Sequence, residues 1–226
     1  PLTIPKNLAG LIPRGVGNKE VTASAPFRES ARSVVSALNR IMGEMEWKVE
    51  RIAVDAPAAP PTIGARASED ALGRQGLSSF RTPEISAWPK IREKCVNHLE
   101  SGGAAANLPY ANKIWMLFGF ELFSKLRSEL GAEVIEVYPF AIVRALLPAC
   151  EHKTTERGYR DQLSAIATLT GWEPQALEAK LKVAVPGSRH DRLDAFMSAW
   201  VASLPEEDRR ALGDTHNPND AIWVPH

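Results

Sequence analysis

The chain has 226 residues, 44% of them hydrophobic and 24% charged, with 27 Lys and Arg against 27 Asp and Glu and a sequence pI near 7.4. That length fits one large domain or one domain with an embedded subdomain, and the composition excludes wholesale disorder, collagen-like and low-complexity chains. A net charge of zero argues against a protein built for non-specific phosphate binding, which would be strongly basic, while leaving room for a local basic groove.

In chain order, the first 28 residues are punctuated by Pro5, Gly10, Pro13, Gly15, Gly17 and Pro26, which predicts loops and one or two short strands. From Glu29 to Met45, Ala31, Val34, Val35, Leu38, Ile41, Met42 and Met45 recur at three and four, the period of a helix with one buried face. Arg51 to Asp55 reads as a buried strand ending on a carboxylate before Ala56-Pro57, followed by a loop through Gly64, Gly73 and Gly76. Helices are predicted between Pro83 and Leu99, with Pro89 starting or kinking the first of them, and from Tyr110 to Leu130, where Gly131 stops the second. Glu133 to Val137 reads as a second buried strand, ended by Pro139. Further helices are expected over Gly158–Thr170, Pro174–Val183 and, capped by Ser188, up to about Leu204. Helices alternating with short apolar strands imply crossover connections and an α/β class. Residues 1–204 read as one domain with a helical insertion over about 58–131, and residues 205–226 as a charged, Asn- and Pro-containing tail.

Cys95 and Cys150 are isolated and are expected to be reduced thiols. The most apolar run, Ile114 to Phe123, is broken by Gly119 and Glu121 and falls short of the ~20 residues of a membrane span. With no signal-peptide pattern in view, the expected location is the cytoplasm, away from membranes.

Four acids stand where chemistry could be built. Asp55 ends a strand, the position at which side chains of an α/β sheet emerge into a crevice, although Asp before Ala-Pro also starts turns. Glu136 is flanked by apolar residues, where an ionised carboxylate needs a partner or a cation unless the strand is an edge facing water. Asp191 and Asp194 lie three apart on the last helix; Asp191 also completes a Ser-x-x-Asp capping pattern with Ser188, whereas Asp194 falls at the margin of the apolar stripe. Hard divalent cations take oxygen ligands from a few carboxylates, and a pair of such ions ~4 Å apart can hold both the attacking and the leaving oxygen of a phosphodiester.

Ile-Ala-Val-Asp55-Ala-Pro, Arg66 with Asp70, Val-Ile-Glu136-Val-Tyr-Pro, Lys153 with Gly158 and Arg160, and His190-Asp191-Arg-Leu-Asp194-Ala together resemble a family of predicted nucleases with an RNase H-like fold, long known only as a domain of unknown function. The final Asp-x-x-Asp-Ala is similar to the last catalytic pair of RuvC-type junction resolvases. The resemblance runs from about Arg51 to Leu204. It implies a mixed sheet flanked by helices, with the insertion between the two acidic strands. It also implies a Mg²⁺- or Mn²⁺-dependent nuclease with Asp55, Asp191 and Asp194 as metal ligands, Glu136 bordering the catalytic site, and Arg66, Lys153 and Arg160 toward phosphate. Such nucleases carry their first catalytic Asp on the first strand, and residues 1–54 contain no Asp; Glu20 would be a poor substitute. The rival expectation is therefore a catalytically inactive interaction or nucleic-acid-binding module. The partner is nucleic acid or a phosphorylated small molecule.

Other signals are negative or neutral. The five histidines lack zinc-site spacing, and no Gly-x-Ser-x-Gly, Walker or Gly-x-Gly-x-x-Gly motif occurs. The segment from Gly64 to Arg81 reads as a surface loop or a phosphate-contacting one. The tryptophans read mostly as core, with Trp88 open to a partner contact.

Overall fold

The computed structural model describes residues 24–104, 107–184 and 187–226. Its first helix, α1 (Ser24–Glu44), turns Ala31, Val34 and Val35 inward, as the spacing requires. Then come β1 (Arg51–Val54), α2 (Ala67–Arg74), α3 (Trp88–Glu100), α4 (Ala111–Glu129) and β2 (Glu133–Val137). Pro89 lies in the first turn of α3, where its missing N–H leaves no helix bond unmade. Beyond β2 run α5 (Pro139–Leu146), α6 (Glu156–Thr170), α7 (Pro174–Ala184), α8 (Arg189–Ser203), β3 (Arg209–Gly213) and β4 (Ala221–Pro225). The strands expected before residue 24, and Glu20, lie outside the described residues.

The class is α/β: an open, mixed four-stranded sheet in the order β1-β2-β4-β3, parallel at β1–β2 and β2–β4 and antiparallel at β3–β4. Alternation along β2 divides the interior. Val134 faces Val35, Phe123 and Leu126 of α1 and α4, while Ile135 and Val137 face the larger core built with α5, α6, α7 and α8. A third cluster joins α1, α3 and α4 through Trp88, Ile91, Cys95 and Ile114, which makes Trp88 a core residue, and not the open contact considered from sequence.

Two expectations are corrected. The segment after Gly64 is not a surface loop throughout, because residues 67–74 form α2 with Ala71 and Leu72 buried. The supposed tail is part of the sheet: β4 pairs with β2, and Leu212, Ile222 and Val224 lie in the main core. Its loop also caps α2 from outside, with Asp220 accepting from the Ala67 N–H at 2.7 Å, the Ser68 N–H at 2.9 Å and the Ser68 hydroxyl at 2.7 Å.

α4 packs directly on the loop that leaves β1. A Cβ on Gly119 would stand 2.8 Å from the Ala56 Cβ and 3.2 Å from the Pro57 carbonyl oxygen, so a side chain there must push the loop away. Gly119→Val is expected to cost about 1–3 kcal/mol in urea unfolding, the usual range for overpacking. It should also shift the resonances of Asp55, one residue from the contact; a neutral effect on both would show that the loop yields freely.

Candidate functional site

The C-terminal ends of parallel β1 and β2 meet the start of α8, and the acids converge there. Asp55 is the first residue beyond β1. Asp194 lies one turn into α8, 9% exposed. Both line a groove of about 930 Å³ that runs along β1 between α1 and α8. Asp191 also lines it, but its carboxylate serves the helix: it accepts from the Ser188 backbone N–H at 3.4 Å, and the Ser188 hydroxyl oxygen accepts from the Asp191 N–H at 3.2 Å, closing the capping box read from sequence.

Lys153 reaches the same place from the loop before α6 and donates to the Asp194 carboxylate. The loop is held close by Gly158, where a Cβ would come within 2.3 Å of the His152 carbonyl oxygen, and by Thr155, whose hydroxyl oxygen caps α6 by accepting from the Gly158 N–H at 3.0 Å. Lys153 is thus the one expected phosphate-contacting residue that the structure pairs with Asp194. Arg160 is exposed to solvent and paired with Glu156 at 2.9 Å on its own helix.

Glu136 and Arg66 have a different role from the one expected. β2 is an inner strand, so Glu136 does not face water; it is 4% exposed and lies between Val54 and Ile222 in register. Arg66, 2% exposed, grips both its carboxylate oxygens at 2.8 and 2.5 Å, and the Ala58 N–H donates at 2.9 Å. Burial pushes the Glu136 carboxyl up, and the guanidinium beside it pulls it down. The net effect at Glu136 is a rise, while at Arg66 burial lowers the value and the pairing with Glu136 more than offsets it; the guanidinium fork on both oxygens is the geometry of a charge-assisted pair. Arg66 also donates to the Asn219 carbonyl at 2.8 Å and stands 3.7 Å from Asp220. In the structure Arg66 is a buried clamp and Glu136 its counter-ion, each engaged by the other and not held free for a substrate phosphate or a cation.

The electrostatics of the remaining pair are those of a crowded anionic site. The Asp55 residue is exposed at the groove, yet the protein crowded around its carboxyl, with the charges of Asp194 and Glu136 working against Lys153, pushes it from 3.8 up to about 7. Burial likewise raises Asp194, against the pull of Lys153, with Asp191 adding to the rise. Between 3.8 and about 7, the folded chain keeps a proton on Asp55 that the unfolded chain has released. The group's contribution is therefore fully present below the lower value and is lost as pH rises through the upper one. The melting temperature is expected to fall from pH 5 to pH 8 by more in the parent chain than in Asp55→Asn; equal slopes would place the shift elsewhere.

Whether a divalent cation fits is a question of donors. Among the described residues, no group of three or more His, Cys, Asp or Glu side chains is placed to hold a metal ion. Asp191 is engaged in its cap, which leaves Asp55 and Asp194. Two carboxylates suit one Mg²⁺, which commonly binds through one or two carboxylates and fills its other positions with water and substrate phosphate. They do not furnish the two-ion site that three acids would have allowed.

The fold and site thus define an α/β protein with paired acids and a lysine at the C-terminal strand ends. The chain belongs to the family described as a protein of unknown function, DUF429, whose model matches residues 18–220. The match takes in β3 and the loop before β4, so the presumed tail is part of the family unit. No curated protein and no solved structure matches the chain. Among the described residues, no helix is long and apolar enough to cross a membrane.

Proposed function

We propose that this chain is a phosphodiester hydrolase with an RNase H-like fold, acting on nucleic acid, in which Asp55 and Asp194 hold one Mg²⁺ or Mn²⁺ at the end of β1. The observation that carries this reading is the pairing of two carboxylates, each raised in pKa, on one open groove. The groove is lined by four acids, Glu50, Asp55, Asp191 and Asp194, against two bases, Lys48 and Arg51. Such a surface repels a phosphate backbone until a cation neutralises it. When bound, the ion would polarise the scissile phosphate and acidify a water. The chain's own part is to hold that charge in place, with Asp194 oriented by α8 and Lys153, whose ammonium can turn to a phosphate oxygen. β1 is one of the two outer strands among the described residues, so the groove beside it can be open along its length, as a polymer requires.

A second reading, an inactive interaction module, draws on Lys153 as the internal counter-ion of Asp194 and on the lack, among the described residues, of a third acid placed to hold the same ion. The two are separated by incubating single-stranded, double-stranded and branched DNA and RNA with the chain and Mg²⁺ or Mn²⁺, beside Asp194→Asn. Metal-dependent cleavage lost in the variant supports the hydrolase; no cleavage by the folded parent chain supports the module.

A further inference from the structure

Asp55 lines a second cavity as well, of about 450 Å³, which shares no other lining residue with the groove. This cavity lies between the β1–α2 loop, the segment of residues 78–82 and α4. Phe80, Trp115, Tyr138 and Met116 form its apolar walls, and Ser78, Ser79 and Thr82 add hydroxyls that can donate and accept. The mutually paired Arg66, Glu69 and Glu136 also line it, with Asp55. Its size falls within the roughly 300–1,000 Å³ of small-molecule sites. Phe80 is 63% exposed, an aromatic face left open to solvent at the cavity, and the Lys113 ammonium stands 6.0 Å from its ring. Tyr138 is fixed by its hydroxyl, which donates to the Ser78 carbonyl at 2.8 Å, so the wall is tied to the segment opposite.

We infer that this cavity takes an unpaired nucleobase of the substrate strand, and that the substrate class of the site is single-stranded nucleic acid or a strand with an extruded base. The inference rests on the hydrolase reading for its partner and on the cavity for its ligand. A nucleobase offers a flat apolar face with a polar rim. That matches aromatic walls with two serines beside them, and base stacking on aromatics is tolerant of sequence. A base within a duplex cannot reach a walled pocket without leaving the stack. Because Asp55 borders both spaces, a nucleotide with its base in the cavity would present its phosphate toward the groove.

The test is an NMR titration of the full chain with adenosine 5′-monophosphate, following the Trp115 indole, with ribose 5-phosphate as the baseless control and Phe80→Ala as the variant. Phe80 is largely exposed, so its loss leaves the fold intact. The expected result is a saturable shift at Trp115 with the nucleotide, none with the sugar phosphate, and affinity weakened about tenfold or more in Phe80→Ala. Equal shifts from both ligands, or none from the nucleotide, would overturn the assignment. The hydrolase reading fails separately. Cleavage that ignores strandedness and survives Phe80→Ala unchanged removes the base pocket and keeps the nuclease. A nucleotide shift lost in Phe80→Ala, without any cleavage, keeps the pocket and removes the nuclease.

Discussion

Replacing Arg66 by Met is expected to destabilise the fold by about 3–5 kcal/mol, the range for removing one partner of a buried ion pair. The volume is nearly kept, so the loss is electrostatic: Glu136, 4% exposed, would remain on an inner strand with only the Ala58 N–H as donor. Against a total stability of about 5–15 kcal/mol, the variant should be marginal at neutral pH and firmer in acid. There Glu136, its pKa then raised by burial with no guanidinium to oppose it, takes up a proton in the folded state before it does so in the unfolded one. The companion variant Arg66→Met with Glu136→Leu removes both charges and should recover most of the loss. Urea unfolding of the two variants and the parent at pH 5 and pH 7 decides the matter. A double variant no more stable than the single one would mean that Arg66 acts mainly through Asp220 and Asn219.

That clamp shows what was legible in the sequence and what was not. Helices with long apolar stripes, α1, α4 and α8, and the two apolar strands β1 and β2 announce themselves by period, since burial of a face fixes the spacing of apolar residues. The capping box of Ser188 and Asp191 is likewise local and was readable. β4 was not, because Ala-Ile-Trp-Val-Pro is only five residues and follows a stretch rich in Asn, Asp and Pro; only its pairing with β2 makes it a strand. α2 escaped for a similar reason, being eight residues long with its cap supplied by Asp220, 153 residues away from Ala67 in the chain. Glu136 stands out in the sequence because a charge amid apolar neighbours is costly, and Arg66 only through the family resemblance and its Arg-containing segment. The cost is real, but the partner that meets it lies 70 residues off, and nothing in the spacing points to one arginine among several. Asp55, Asp194 and Lys153 were each visible as residues; their meeting depends on β1 and α8 packing side by side, which is a property of the fold alone.

The other large effect is expected from Asp194→Asn, in two measurements that respond to one cause. Under the proposed hydrolase reading, Asp194 supplies half of the protein's carboxylate donors. Groups that merely orient a metal's ligands are worth about 10–100-fold, so removing a donor itself should lower cleavage by at least about a hundredfold. The asparagine keeps the shape and can still accept a hydrogen bond from Lys153, so a folding defect is not the expected explanation. In the absence of metal, the same substitution removes a negative charge beside Asp55 and leaves the Lys153 charge unneutralised, the two changes acting in the same direction. The Asp55 carboxyl, at about 7 in the parent chain, should therefore titrate lower in the variant, as read by carbonyl-detected NMR. Divalent metal added to the parent chain should also lower the apparent Asp55 value, because the cation binds the ionised form, and this effect should shrink in Asp194→Asn. A lowered Asp55 value with no metal effect in either chain would keep the two acids as electrostatic neighbours and remove the cation from the site. An Asp55 value unmoved by the substitution would mean that the acids do not share the cleft at all.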